Sequence, residues 1–385
     1  MRSEIRRNVE YRKLGDVTDI IMGQSPKGNS YNSNGFGVPL INGPTEFTNK
    51  YPIKRQWTTE PTKCCKKQDI LICVRGSSTG RMNISDDIYC IGRGVAAISA
   101  KRVALTEYIY FLLDFEVDRI LKSATGSTFP NITGKELNDL NMNIFPLPEQ
   151  QKIANILSTW DKAIELKENL IEKKIEQKKG LMKKLFTGQI RLPGFVGVWK
   201  YFKAGEIFCN MTDKSHNGIG VVLSSTQDKG IIPRDKINID IKYDKESLSN
   251  YKKVNIGEFV ISLRSFQGGI EYSEFEGLMS PAYTVLKNLV DIESSFYRHL
   301  FKSVDFISRL NGLIYGIRDG KQIGYKDFST MILPYPEIEE QKQIGEILDT
   351  ATREINLHQQ ELDALKLQKK GLMQLLLTGI VRVNN

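Results

Sequence analysis

Seven consecutive residues, Arg75-Gly76-Ser77-Ser78-Thr79-Gly80-Arg81, gather two guanidinium groups and three hydroxyls around two glycines. Small residues let a backbone approach phosphate, hydroxyls donate to it, and arginine can pair two-pronged with a guanine edge. The chemistry on offer is therefore nucleic-acid contact. Ser127 and Thr128 in Gly126-Ser127-Thr128 add to it, with Lys54-Arg55-Gln56 and Gln24-Ser25-Pro26-Lys27 as weaker additions. The second half of the chain has counterparts in Arg264-Ser265-Phe266-Gln267 and Arg318-Asp319-Gly320-Lys321-Gln322. Each string alone reads equally well as an ordinary hairpin turn. Recurrence at matched places favours a functional role, although bases could instead be read by loops that differ between the halves, such as 28–37 and 213–220.

Bond-making chemistry finds no support. No GxxxxGK[ST] loop, GxGxxG or HExxH string occurs, and GSSTGR (76–81) and GIRDGK (316–321) lack the phosphate-loop spacing. Pro334-Tyr335 lacks the polar residue and double proline of an amino-methyltransferase motif, and RDKINIDIK (234–242) reads as charge alternation along a strand edge. His216, His299 and His358 lie far apart and suggest no metal. The five cysteines are odd in number and never spaced as CxxC, which argues against both a disulfide framework and a zinc site.

The 385 residues suggest two or three domains, and 40% apolar content is enough to build cores. No apolar run approaches the ~20 residues that cross a bilayer, and the charged N-terminus does not resemble a signal peptide, so a cytoplasmic chain without membrane contact is expected. The net charge of +9 is confined to the first half: +5 in residues 1–148, +4 in 149–192, and zero in 193–339 and 340–383. A basic balance is compatible with a polyanionic partner and does not establish one.

The chain is an internal repeat. Residues 149–192 align without a gap to 340–383, with 18 of 44 positions identical, and both copies end in KKGLM followed by a Thr-Gly turn. The flanking segments repeat more faintly: 66–82 against 255–272, and 126–153 against 316–344. In the first copy Ile153, Leu157, Trp160, Ile164, Ile171, Ile175, Met182 and Leu185 recur on helical steps, with Lys167 and Lys178 in the gaps. Ile344, Leu348, Ala351, Ile355, Leu362, Leu365, Met373 and Leu376 do so in the second. So narrow an apolar seam is coiled-coil-like. At ~1.5 Å per residue each helix would span ~58 Å, stopped by Gly188 or Gly379. Two such helices are expected to pack antiparallel, with a globular unit at each end of the rod and a pseudo-twofold between the units. The alternative is that each helix packs on its own domain. Leu375 and Leu377 beside the second seam cannot both join Leu376 in facing one helix, and are expected to meet a partner protein.

VTDIIMG, DILICVR, AAISAKR and EFVISLR read as short strands, and 106–123 and 294–310 as amphipathic helices. The fold class expected is α+β: two mixed, sheet-rich domains (1–148 and 193–339), each followed by a long helix (149–192, and 340–385 including the tail).

GSTFPNI (126–132), LPEQQKIANIL (147–157), KKGLMKKLFTG (178–188) and KKGLMQLLLTG (369–379) together resemble the specificity subunit of type I restriction–modification systems, over the whole chain. The second copy departs from the pattern where GIRDGKQI (316–323) replaces GSTFPNI. The resemblance implies a non-catalytic reader of double-stranded DNA whose two target-recognition domains each read half of a bipartite, asymmetric site. It implies helices that set the gap and dock two modification subunits, with restriction subunits joining that core. S-adenosylmethionine, ATP and magnesium would belong to those partners. A coiled-coil adaptor with no DNA role, or a self-sufficient methyltransferase or nuclease with a cryptic site, are the competing readings.

Overall fold

A computed structural model describes residues 9–123, 130–226, 230–237, 245–262, 270–312 and 324–383. The chain divides into two compact units, residues 1–167 with 361–385, and residues 168–360.

In the first unit, β1 (Glu10–Lys13), α1 (Leu14–Val17) and β2 (Thr18–Met22) lead into β3 (Tyr31–Asn32), β4 (Val38–Ile41), β5 (Trp57–Thr58), β6 (Ile70–Cys73), β7 (Met82–Ile84), β8 (Cys90–Ile91) and β9 (Val95–Ala100). Helix α2 (Thr106–Ser123), α3 (Gly134–Asn138) and β10 (Asn141–Ile144) come next, then the long α4 (Leu147–Phe186). An antiparallel sheet in the order β2-β9-β6-β7 carries the core, a smaller sheet β3-β5-β4-β8 lies beside it, and β1 pairs with β10. All four residues of β6 are buried, as expected of a central strand covered on both faces. Ile70 and Ile72 face the α2 side with Tyr108 and Leu112, while Leu71 and Cys73 face Tyr89 and Ile91.

The second unit repeats this plan: β11 (Lys200–Lys203), α5 (Ala204–Ile207), β12 (Phe208–Met211), β13 (Leu223–Thr226), β14 (Gly230–Pro233), β15 (Lys252–Val254), β16 (Phe259–Ile261), β17 (Ile270–Tyr272), β18 (Gly277–Met279) and β19 (Thr284–Asn288). Helices α6 (Ser294–Leu300), α7 (Val304–Gly312) and α8 (Tyr325–Ser329), then β20 (Ile332–Tyr335) and the long α9 (Ile338–Leu377), complete it. The sheet β12-β19-β16-β17 has the same order as its counterpart. The fold is α+β, with the expected internal repeat.

One detail differs from expectation. Residues 294–310 form two helices, because the Ser303 hydroxyl accepts the Phe306 N–H at 3.3 Å and starts a new helix there. Pro334 sits inside β20, which pairs with β11 alone, where a missing N–H is tolerated.

Both long helices have 40 residues, ~60 Å of rise. Within the first unit they run antiparallel, shown by Arg382–Glu149, Lys369–Asp161 and Lys167–Glu361 ion pairs. Within the second unit they do so again, through Arg191–Glu340, Lys178 on Thr352 and Lys174–Glu354. Ile153, Leu157, Met373 and Leu376 are buried in the first unit's core, and Met182, Leu185, Ile344 and Leu348 in the second's. Ile171 and Leu362 are also buried, whereas Trp160, Ile164 and Ile355 are half-buried and Ile175 is exposed. The two expectations therefore combine: helix pairs with helix, and the same turns pack on a domain. Leu377 corrects the sequence reading, since it lies in the first unit's core at 1% exposure; Leu375 remains exposed at 40%.

Candidate nucleic-acid interface

The Arg75–Arg81 turn joins β6 to β7. Gly76 and Gly80 both have positive φ (82° and 89°), and a Cβ on Gly80 would sit 2.7 Å from Val117 Cγ2, so the turn needs glycine there. Its hydrogen bonds explain its shape: the Gly80 N–H donates to Cys73 O at 2.8 Å, and the Cys73 N–H donates to Arg81 O at 2.8 Å. The turn is tied to a second segment. Gly76 N–H and the Thr79 hydroxyl both donate to Pro130 O, at 3.2 and 3.0 Å, and Arg75 Nε donates to Asn131 Oδ1 at 3.0 Å. The structure thus brings together the β6–β7 turn and the residues just after Ser127 and Thr128.

The candidate side chains divide by what they already do. Arg75 and Ser77 are exposed and Ser78 is half-buried. Thr79 is buried, and its hydroxyl also donates to Gly76 O at 2.7 Å, so it braces the turn from inside. Arg81 donates through Nη2 to Phe47 O at 2.9 Å, fastening the 44–47 segment. Lys54 pairs with Asp87 at 2.6 Å and lies over the Tyr89 ring; that pairing holds the Asp87 carboxyl below the usual carboxylate range. Arg55 is exposed. Ser127, Thr128, Arg264, Ser265, Gln267, Arg318, Lys321 and Gln322 lie outside the described residues.

The two divergent loops share a feature that composition did not reveal. In the first unit Phe36 is 67% exposed at the tip of 28–37, next to Asn32, Ser33 and Asn34. In the second, Ile219 is 82% exposed in 213–220, beside Lys214, Ser215 and Asn217. Each loop base is built: the Asn32 amide closes on Phe36 O at 2.9 Å. His216 accepts Gly218 N–H at Nδ1 (3.0 Å), which leaves Nε2–H to donate to Tyr251 O at 2.8 Å.

Sequence reasoning missed a set of buried polar residues that mount the helices on the domains. Gln150 is fully buried; its oxygen accepts Leu105 N–H (2.9 Å) and its amide donates to Phe145 O (2.6 Å) and Val103 O (3.1 Å). Gln341 does the same in the second unit, accepting Glu293 N–H (3.0 Å) and donating to Pro336 O (2.9 Å). Glu149 takes Arg382 two-pronged, and Glu340 takes Arg191 at 2.8 and 2.9 Å plus Trp199 Nε1–H at 2.7 Å. Arg382 also stacks on Phe145, and Arg191 on Trp199. The signal was present: Glu149, Gln150 and Arg191 are identical in the two copies but fall off the apolar seam.

Shifting any residue of these clamps by 191 positions gives its counterpart with the copies exchanged: Glu149–Arg382 becomes Glu340–Arg191, and Asp161–Lys369 becomes Thr352–Lys178. In the second unit this neighbourhood also holds His299, whose ring contacts Asp349 at 2.6 Å. Burial, then the nearby Lys178 charge, pull His299 down to about 4, so the contact is a hydrogen bond from a neutral ring.

These features define a class: a duplicated α+β protein in which each of two units joins a sheet-rich domain to one stretch of each long helix. The family model for the type I restriction modification DNA specificity domain matches residues 6–177 and again 198–367. The chain belongs to that family. A Methanocaldococcus jannaschii protein provisionally named as the MjaX type I restriction enzyme specificity subunit is 38% identical over 192 residues, 49% of this chain and 45% of that protein. This chain thus spans under half of that relative's length in the match. The MjaVIII type I specificity subunit of the same organism is 28% identical over 355 residues, 83% of this chain and 80% of the relative. The crystal structure of the type I restriction-modification S subunit from M. genitalium shares the fold, with TM-score 0.57, 20% identity and 96% of both chains covered. No helix among the described residues is long and apolar enough to cross a membrane.

Proposed function

We propose that this chain is the DNA sequence-recognition subunit of a type I restriction–modification assembly. Residues 1–148 and 193–339 each read one half of a bipartite, asymmetric target, and the helices fix the spacing between the halves. The observation that carries the reading is the exchange of the Glu–Arg clamps between copies, which mounts two different heads on one repeated frame. Like heads would read a palindrome; unlike ones read an asymmetric pair of half-sites, in the way dimeric readers use their symmetry.

Base contact is assigned to the 28–37 and 213–220 loops, where Phe36 and Ile219 offer apolar contact to a thymine methyl and the adjacent Asn and Ser side chains offer hydrogen bonds. Arg75, Ser77, Arg55 and the candidates beyond the described residues are assigned to phosphates. Each unit also exposes apolar residues at matched places: Tyr11, Leu147, Leu166 and Val381 in one, and Tyr201, Ile338, Leu357 and Ile190 in the other. Such repetition suits two copies of one partner, the modification subunit, with restriction subunits joining the complex. In this reading methylation, using S-adenosylmethionine, and cleavage, using ATP and magnesium, belong to those partners.

The test is to map adenine methylation in a host carrying the complete system, before and after replacing residues 1–148 with the matching domain of a relative. One half-site should change and the other persist. Both halves changing together, or no bipartite motif depending on the gene, would refute the assignment. Binding by the reconstituted complex should also weaken steeply with salt, which an adaptor without a DNA role would not show.

A further inference from the structure

All five cysteines carry free thiols, yet two of them face each other across neighbouring strands. Residues 63–65 run antiparallel to β8: Cys65 N–H donates to Tyr89 O at 2.9 Å and Ile91 N–H donates to Lys63 O at 2.8 Å. These bonds flank Cys64 and Cys90, which are directly opposed as a bridge pair. They therefore form a non-hydrogen-bonded antiparallel pair, in which Cα atoms are ~4.5 Å apart and both side chains leave the same face. That separation lies within the ~4.4–6.8 Å range that a disulfide spans. Burial, with Cys90 beside it, pushes the Cys64 thiol up.

No other cysteine shares this geometry. Cys65 points to the opposite face, where its sulfur accepts Tyr89 N–H at 3.4 Å, and burial pushes it up to about 12. Cys73 is buried in the same core and is pushed up to about 11, while Cys209 belongs to the other unit. Cys64 is half-buried, so a small oxidant reaches it before the fully buried Cys90.

We propose that Cys64 and Cys90 are a reversible disulfide site, closed by hydrogen peroxide and reopened by a dithiol. The Cys64 thiolate attacks one peroxide oxygen, the O–O bond breaks, and a sulfenic acid forms as the released hydroxide takes up a proton. The Cys90 sulfur then attacks the sulfenic sulfur; the S–O bond breaks, the hydroxyl leaves with the Cys90 proton as water, and the S–S bond forms. Two thiols are oxidised and one peroxide is reduced to two waters. A thiol held mostly protonated reacts slowly, so the site answers sustained oxidation and not brief exposure. Closure would staple the β5–β6 connection to β8. Thr62, whose hydroxyl bonds Gln24 O, and Gln24, whose N–H donates to Ile91 O at 2.9 Å, carry that staple toward the 28–37 loop. The second unit has only Cys209, so one head would stiffen and the other would not.

The experiment treats the purified full chain with hydrogen peroxide, alkylates remaining thiols with iodoacetamide, and measures intact mass and peptide linkage. Two of the five thiols should be lost to alkylation, with a mass change of two hydrogens, full recovery in dithiothreitol and no dimer. Cys65→Ser and Cys73→Ser should retain the cross-link, while Cys64→Ser should lose it. Cys90→Ser should accumulate sulfinic acid at Cys64; if that variant does not fold, Cys64→Ser alone decides. Five alkylatable thiols after oxidation, sulfinic Cys64 in the unaltered chain, or linkage through Cys65, Cys73, Cys209 or a second molecule would each overturn the proposal.

Discussion

Gln150→Leu removes the side-chain amide and shortens the side chain by one atom. Two groups then lose their partner, Phe145 C=O in a buried setting and Leu105 N–H in a half-buried one; Val103, 44% exposed, turns its carbonyl to water. An unmet buried backbone group costs ~1–3 kcal/mol, so the pair costs ~2–6, and leucine's apolar surface returns ~1. A net loss of ~3 kcal/mol is expected, which for a unit of this size lowers the melting midpoint by ~6–12 °C. Gln151→Leu is the control, because its amide only reaches Asn155 Oδ1 on the exposed helix surface. Thermal unfolding by circular dichroism gives the first readout. Hydrogen exchange gives the second, since the Leu105 amide should lose ~100-fold protection while amides of β6 lose less. Midpoints of the two variants within ~1 °C of each other, or an unchanged Leu105 amide, would refute the claim that this glutamine mounts the helix on the head.

Three further outcomes are expected. Glu340→Ala strands the buried Trp199 indole N–H and a clamped arginine, and should cost ~3 kcal/mol by urea unfolding, whereas Lys162→Ala, breaking an exposed 3.1 Å pair with Glu165, should cost under ~0.5. His299 should make the second unit acid-sensitive. Its folded value of about 4 lies below the ordinary 6.5, so the unfolded chain binds the extra proton between these values. Stability is full above pH 6.5 and falls toward pH 4 by ~3 kcal/mol. The ring is faced by Asp349, Arg298 and Lys178, and His299→Gln should flatten the urea midpoint across that window; an equally steep fall would assign the acid sensitivity elsewhere. Leu375→Asp should leave the isolated chain's melting midpoint nearly unchanged while weakening co-purification with a modification subunit, whereas Leu377→Asp, which places a charge in the core, should unfold the first unit. An intact Leu375→Asp complex would remove that residue from the docking surface.

The seam was legible because its information is apolar periodicity, and Ile153, Leu157, Met182 and Leu185 recur wherever the helix turns inward. What periodicity cannot weigh is a polar residue that is buried because it is satisfied. Gln150 and Glu340 look like surface residues until the helix entry places Leu105 N–H and Trp199 Nε1–H beside them. Leu377 was misread for the related reason that a helix end changes its surroundings within one turn, from facing a helix to facing a sheet. Thr79 shows the limit for the candidate interface: hydroxyls that hold a turn and hydroxyls that meet phosphate are the same residue type, and only the Pro130 carbonyl separates them. Phe36 and Ile219 were hidden because nothing in a sequence marks an apolar residue as left in water.

The proposed ruler role makes a demand that the ion pairs state in residue numbers. In the first unit Asp161 meets Lys369 and Lys167 meets Glu361; in the second Lys174 meets Glu354 and Lys178 meets Thr352. Between these sets lie residues 168–173 of α4 and 355–360 of α9, equal lengths on two helices that run in opposite directions within each unit. Four residues inserted after Glu168 lengthen α4 by ~6 Å and rotate its C-terminal part by only ~40°, so the seam continues in phase. The facing stretch of α9 is then ~6 Å short, and the pairs of one unit can be kept only by breaking those of the other. A matching insertion after Leu357 restores both sets. The single insertion should therefore lower the melting midpoint, and the double insertion should recover it while lengthening the spacer tolerated in the methylated motif. A double insertion that melts no higher than the single one would show that the helices do not share a common register, and an unchanged spacer in a stable double insertion would show that they do not set the distance.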